Sequence, residues 1–287
     1  MRYPKRVPSS ENAINVAREA PSASRSVERV EALVLAGRRG GEDPVARAAG
    51  VSHKALAPLR GRPLLAHVLA ALRAVPAIAR VTISIDDPEA LRSHTEFGPA
   101  LAAGEFALHA SGTSPADSVR SFIEQSGSTL VLVTTADHPL LTAATIEQFL
   151  AGALASGSDL ALALVPDSAL LSVAPHNKRT WLRLGGERFT GANLFLARSP
   201  GAANVAAFWR RAEGLRKEPW RLAAIFGALT LARFLAGRLG LEDAMAAVSK
   251  ATGASVRAVR LTDGHAGIDV DTLADFALVE KLLGERP

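Results

Sequence analysis

The sequence predicts an α/β protein built on a Rossmann-like, three-layer α/β/α arrangement with a mostly parallel sheet. Three observations predict it. Short apolar runs alternate with amphipathic stretches between residues 31 and 165, the pattern of strands joined by helical crossovers. Hydrophobic residues make up 48% of the chain, with Ala and Leu foremost among them, and both are strong helix formers. At 287 residues the chain is long enough for one large domain of this kind.

The elements follow in order. Residues 31–36 form a short apolar run ending at Gly37, a buried strand. Residues 62–75 place Leu65, Val68, Leu69 and Leu72 on one helical face, with Pro63 near the start. A strand is expected over 80–85, a helix over 88–103, a short strand over 105–109 and a helix over 114–125 that Pro115 opens. Residues 129–134 are rich in β-branched side chains and read as a strand. Thr142 can cap a helix over 142–155, and a buried strand follows over 159–165. Strands over 179–184 and 191–197 are joined through Gly185-Gly186. Residues 201–253 read as a helical insert with breaks near Pro219, Gly227 and Gly240, before a strand over 256–260 and a closing helix over 272–283. Residues 1–29 are polar, with Pro4, Pro8, Pro21 and many serines, and are expected to be a flexible tail. The rest, 30–287, reads as one domain.

Composition narrows the chemistry. With no cysteine, disulfides, thiolate zinc sites, iron–sulfur clusters and cysteine nucleophiles are excluded. A cytoplasmic location fits that absence, and residues 1–29 lack the apolar centre of a secretory signal. No apolar run reaches the ~18 residues that a membrane span needs, so no membrane partner is expected. Net charge is +5 and spread along the chain, and aromatics are only 5%. Nucleic acid would want a basic stripe with stacking platforms, so anionic small molecules are the expected partners.

Several segments carry chemistry. The first strand runs into Leu35-Ala36-Gly37-Arg38-Arg39-Gly40-Gly41, a turn whose backbone N–H groups can approach phosphate oxygens. No Gly-Lys-Ser/Thr follows, and the glycine spacing is not that of a dinucleotide fold. His53-Lys54-Ala55-Leu56-Ala57-Pro58-Leu59 and Gly61-Arg62-Pro63-Leu64-Leu65 come next. Asp137 stands just past the strand over 129–134, followed by His138-Pro139-Leu140. A late segment reads Gly267-Ile268-Asp269-Val270-Asp271-Thr272-Leu273-Ala274-Asp275. Mg²⁺ favours carboxylate oxygens over imidazole, so His138 reads as a turn residue, and Thr272 with Asp275 fits a capping box.

Together these segments resemble the nucleotidyltransferase superfamily with the glycosyltransferase-A-like fold, in its molybdenum-cofactor guanylyltransferase-like branch. The resemblance implies Mg²⁺-dependent transfer of a nucleoside monophosphate from an NTP to a phosphorylated small-molecule acceptor. It implies that Leu35, Ala36, Gly37, Arg38 and Gly40 wrap the nucleotide, with Arg39 and Lys54 neutralising its phosphates. Arg38 departs from the glycine usual there. Asp137 and Asp269 become the metal ligands, with Asp271 second choice to Asp269. The stretch Ala110–Val119 is similar to the base-recognising loop of methylerythritol-phosphate cytidylyltransferases, which assigns Ser111, Gly112 and Ser118 to the nucleotide; Ser114 stands where a basic residue is expected, so the base stays open. Lys178, Arg179 and Asn193, with the basic residues around Arg216, are the expected acceptor side. A nucleotide-sugar glycosyltransferase of the same fold and an inactive nucleotide-binding descendant remain alternatives, and the oligomeric state stays open.

Overall fold

Strand β1 (Val30–Leu35) shows how the layers arise. Side chains alternate across a strand, and both faces of β1 are apolar. Ala32 and Val34 join one core cluster, and Leu33 and Leu35 another. A strand buried on both faces needs cover on both, which parallel sheets obtain from their crossover helices. The computed structural model describes residues 29–38, 40–177, 179–198 and 225–285, with Gly201, Ala202, Val205 and Phe208 between them.

The elements after β1 are helix α1 (Pro44–Ala49), a single 3₁₀ turn at Lys54–Leu56, and the two-residue strands β2 (Pro58–Leu59) and β3 (Arg62–Pro63). Helix α2 (Leu64–Arg73) leads to β4 (Ile78–Ile85), then the short helices α3 (Glu89–Arg92) and α4 (Phe97–Ala102), and β5 (Ala107–Ala110). Helix α5 (Pro115–Ser126), β6 (Val131–Thr135), α6 (Ala143–Ser156), β7 (Leu160–Pro166) and α7 (Asp167–Val173) follow. The hairpin of β8 (Leu182–Leu184) and β9 (Glu187–Ala197) comes next, then helices α8 (Ala228–Leu235) and α9 (Leu241–Thr252), β10 (Val256–Arg260) and α10 (Leu273–Gly284). Among the described residues no helix is long and apolar enough to cross a membrane.

The main sheet runs β10-β7-β9-β6-β1-β4-β5, with β8 paired to β9. The pairs β6–β1, β1–β4, β4–β5 and β10–β7 are parallel, whereas β9 lies antiparallel between β6 and β7. The mostly parallel three-layer fold read from the sequence is therefore the fold observed. Helices α2, α6 and α10 cover one face through Leu65, Leu69, Phe149 and Val279, while α5 covers the other through Phe122. Phe149 is fully buried; truncating such a phenylalanine typically costs about 3–5 kcal/mol.

Local chemistry explains the boundaries. Ser114 accepts from Asp117 N at 3.1 Å to open α5, and Thr142 from Thr145 N at 3.2 Å to open α6. Gly127 and Gly157 close these helices at φ of 62° and 61°. Gly185 and Gly186, both at positive φ, make the two-residue turn of the β8–β9 hairpin.

Three differences from the sequence reading have clear causes. The stretch 88–103 is two helices, not one, because Pro99 has no N–H for the carbonyl of Thr95 and is tolerated only in a first turn. Helices α1 and α7 are too short to show a helical period. The end of the expected insert, α9, packs Leu241 and Met245 against Leu164, Phe189 and Val256, so it is a covering helix of the sheet. Residues 1–28 of the expected tail and 209–224 of the insert lie outside the described residues.

Candidate active site

The parallel strands β1, β4, β5 and β6 deliver their carboxyl ends to one edge of the sheet, where ligands of such folds bind. Leu35 and Ala36 end β1 and are tied into that edge: Ala136 N donates to Leu35 O at 3.0 Å, and Ala36 N to Ser84 O at 2.8 Å. Gly37 follows at a close approach. A Cβ there would stand 3.1 Å from Ser111 Oγ and 3.4 Å from Asp86 Oδ1, so the turns after β1, β4 and β5 meet at this glycine. Gly40 is exposed beyond it. Arg39 and Lys178 lie outside the described residues.

Asp86, the first residue past β4, organises the turn. Its Oδ1 accepts from Arg38 N at 2.9 Å and its Oδ2 from Arg38 Nε at 2.8 Å. His53 is fully buried, with Nε2 at 3.1 Å from Asp86 Oδ1 and Nδ1 at 2.9 Å from Ser52 Oγ. Partial burial works against the charge of Asp86, but the Arg38 backbone N–H and guanidinium outweigh it and hold the carboxyl down to about 2. Arg38, the departure at this turn, is thus clasped to Asp86. Sequence reasoning missed Asp86 and His53. The signal for Asp86 was its place at the carboxyl end of an expected strand.

In the loop after β5, Ser111 faces Gly37. Gly112 N donates to Ser118 Oγ at 2.9 Å, and Ser118 Oγ donates to Ser114 O at 3.0 Å. The Ser118 hydroxyl is therefore spent inside the loop, and the residue is buried. A Cβ on Gly112 would stand 2.7 Å from Asp117 Cβ, so the loop is shaped around a glycine.

The late acidic segment comes up beside Asp137. Val270 N donates to Asp137 O at 2.9 Å. This brings Asp137, Asp269 and Asp271 together, each offering a carboxylate oxygen within 4.8 Å of the others. Asp271, second choice from the sequence, is as much part of the cluster as Asp269. Lys54 Nζ lies 2.8 Å from Asp137 Oδ2 and 2.9 Å from Asp271 Oδ1. Arg179 donates through Nη1 to Asp269 Oδ1 and through Nη2 to Asp269 O at 3.1 Å. Three carboxylates against two cations leave one net negative charge.

Asp137 is buried, which opposes its charge. The hydrogen bond from His138 and the ammonium of Lys54 overcome this and hold the carboxyl well below the usual carboxylate range. Thr135 Oγ1 also donates to Asp137 Oδ1. Burial likewise opposes the Lys54 charge, but Asp137 and Asp271 raise it above the usual lysine range. The expected turn residue His138 thus supports Asp137 from behind, and Asp275 caps α10 together with Thr272.

Asn193 lies in a bulge of β9 at φ 47°. Leu162 faces Phe195 and Leu164 faces Gly191, so Ala163 alone spans Ala192, Asn193 and Leu194. The β6–β9 ladder stops at Val133 and Phe195, two residues short of Thr135 and of Asn193, so Asn193 stands toward the edge that carries Asp137.

A family model for the MobA-like NTP transferase domain matches residues 32–219. The chain belongs to this family. It is a nucleotidyltransferase. It is similar to the 2-C-methyl-D-erythritol 4-phosphate cytidylyltransferase of Cereibacter sphaeroides, 33% identical over 183 residues that cover 61% of this chain and 73% of that enzyme. A hypothetical transferase structure from Thermus thermophilus superposes with a TM-score of 0.70 at 30% identity, covering 86% of this chain and 99% of that one. A CMP:2-keto-3-deoxy-manno-octonic acid synthetase complexed with CTP shares the fold at a TM-score of 0.55 and 15% identity, over 90% of this chain and 99% of the other.

Proposed function

We propose that this nucleotidyltransferase moves a nucleoside monophosphate from an NTP to a phosphorylated small-molecule acceptor, with Mg²⁺ and release of pyrophosphate. The observation that carries the reading is the constellation of Lys54, Asp137, Asp269, Asp271 and Arg179 beside the Gly37 turn, at the carboxyl ends of β1 and β6. The nature of the acceptor is supported by the name of the cytidylyltransferase relative, whose substrate is a polyol phosphate.

The donor set fits Mg²⁺. It is all oxygen, it is compact, and it retains a net negative charge, whereas Mg²⁺ favours a few carboxylates shared with substrate phosphates and water. Asp137, Asp269 and Asp271 are the residues that would hold the ion. When bound it would neutralise phosphate charge and align the triphosphate.

The chain's own groups supply the rest. An acceptor phosphate oxygen forms a bond to the α-phosphorus while the bond from that phosphorus to the β-phosphate oxygen breaks, so negative charge grows on departing pyrophosphate. Lys54, held at the rim of the cluster, presents a fixed positive charge to it. The turn at Gly37, Arg38 and Gly40 cradles the phosphates, with the Arg38 N–H engaged on Asp86 to hold its shape. Ser111 and Gly112 face the base, with Ser118 shaping their loop. Arg179, Lys178 and Asn193 hold the acceptor. No protein nucleophile is needed, because positioning and charge neutralisation carry the chemistry. Residues 30–287 act as one domain, and the insert over 201–253, apart from its covering helix α9, contributes acceptor selection.

The test is a pyrophosphate-release screen of four NTPs against sugar phosphates, polyol phosphates and pterin cofactors with Mg²⁺. Release with one NTP–acceptor pair supports the reading. Free nucleoside diphosphate from a nucleotide-sugar donor, without pyrophosphate, overturns it in favour of glycosyl transfer.

A further inference from the structure

Among the described residues, the buried side-chain polar atoms without a hydrogen-bond partner are Thr134 Oγ1, Asn177 Nδ2 and Arg179 Nε. Two of these are N–H donors set two residues apart, in the stretch that joins α7 to β8, from which Arg179 reaches Asp269 of the acidic cluster. Native proteins rarely leave buried donors unmatched, because each forfeits its water without gaining a partner. Paired orphans at the rim of an active site therefore mark the place of an absent acceptor atom.

The arginine is poised for such an atom. Its Nη1 and Nη2 are engaged on Asp269, which anchors the guanidinium plane, and its side chain is only 12% exposed. Nε points its N–H from the same rigid plane with nothing to receive it. The backbone of Asn177 is also fixed, since Asn177 N donates to Ala174 O at 3.1 Å. The Arg179 donor is thus held before any ligand arrives, with the Asn177 side chain carried on an anchored backbone, and a preorganised donor loses little entropy on binding. The ligand that satisfies an unmatched cationic N–H together with an unmatched amide N–H two residues before it is an oxyanion.

We infer that Asn177 Nδ2 and Arg179 Nε form the subsite for the anionic group of the acceptor, with Arg179 bridging that anion to Asp269. Asn177 is thereby a specificity-determining residue for acceptors that carry phosphate. The inference rests on the nucleotidyltransferase reading for the identity of its ligand, but the donors themselves can be tested without turnover.

The experiment uses the full chain. Inorganic phosphate is titrated calorimetrically, in the absence of metal and NTP, into the wild type and into Asn177→Asp, Asn177→Ala and Arg179→Lys, with thermal melts beside them. Asn177→Asp keeps the shape of the side chain and replaces the donor with a repelling charge, so loss of binding without loss of melting temperature separates recognition from folding. Expected is tenfold to hundredfold weaker phosphate binding in both Asn177 variants, about the size of a charge-assisted hydrogen bond. Arg179→Lys, which keeps the charge but lacks Nε, is expected to be weakened as well. With an active NTP–acceptor pair, the acceptor KM rises in Asn177→Ala while the NTP KM is unchanged. Phosphate affinity equal to wild type in both Asn177 variants overturns the subsite. If phosphate binding falls as expected while no acceptor yields pyrophosphate, the subsite stands and the proposed reaction falls.

Discussion

Lys54 and Asp137 stand 83 positions apart in the chain, yet Nζ of the first lies 2.8 Å from Oδ2 of the second. The lysine is fixed by the 3₁₀ turn at Lys54–Leu56, and the aspartate by the carboxyl end of β6. Asp271 completes the contact from the opposite end of the sequence. The pair is mostly shielded from solvent, with side-chain exposures of 19% and 9%, so removing one partner strands charge on the other.

Lys54→Ala is expected to do two things. Loss of a charge-assisted contact weakens NTP binding by about tenfold to a hundredfold. It also lowers stability by roughly 1–3 kcal/mol, because among the described residues the Asp137 carboxylate then keeps Thr135 and His138 in place of an ammonium. A surface lysine such as Lys281 should change stability by less than about 0.5 kcal/mol. Calorimetric titration of Mg–NTP and parallel melts of the two variants check both points. Equal melts for Lys54→Ala and wild type would return Lys54 to the class of surface lysines.

Asp137→Asn and Asp269→Asn are each expected to reduce Mg²⁺-dependent pyrophosphate release by about a hundredfold or more while circular dichroism stays native, the size of losing a fixed charge-stabilising group. Asp271→Asn should behave like Asp269→Asn, since both belong to one cluster. Full activity in all three variants would dismiss the cluster as a metal site.

Stability should fall in acid with a contribution from Asp86. Its carboxyl is held at about 2 in the folded chain, against about 3.9 in an unfolded one. A lowered folded value means that the stabilisation is present above the unfolded value and is lost as pH falls through the folded one. The wild type therefore loses urea resistance between about pH 4 and pH 2. Asp86→Asn should lose less over that interval. Parallel urea midpoints at pH 5 and pH 3 decide, and identical slopes for both proteins would show that the Arg38 clasp is absent in solution.

Gly264→Ala is expected to destabilise by about 1–3 kcal/mol, although the residue touches no site group. A Cβ there would stand 2.1 Å from Ala169 O, a backbone atom that cannot rotate away. The strain falls on the turn Gly264–Gly267, which leads directly to Asp269. Urea denaturation measures the loss, and an unchanged midpoint would mean that α7 yields more readily than the packing suggests.

The strand–helix alternation, the mostly parallel sheet and the glycine turn after β1 were legible in the sequence because each rests on local order. Period-2 burial, helix-capping residues and glycines at strand ends act within a few positions of themselves. The capping role of Thr272 and Asp275 and the Gly185-Gly186 turn belong to the same class. What the sequence could not decide is what depends on partners far away in the chain. It ranked Asp269 above Asp271, but the contact of Val270 N with Asp137 O brings both carboxylates into one cluster. It turned Lys54 toward phosphates and named no partner for it in the chain, but burial against two aspartates makes it half of a coupled pair. It read β9 as one more strand, but only its neighbours β6 and β7 set its antiparallel direction. Asp86, marked in the sequence only by its place at a strand end, becomes the anchor of the Arg38 turn because β1 and β4 lie side by side. Local propensity acts along the chain, whereas charge pairing and burial act across space, and only the folded sheet brings those groups within range of one another.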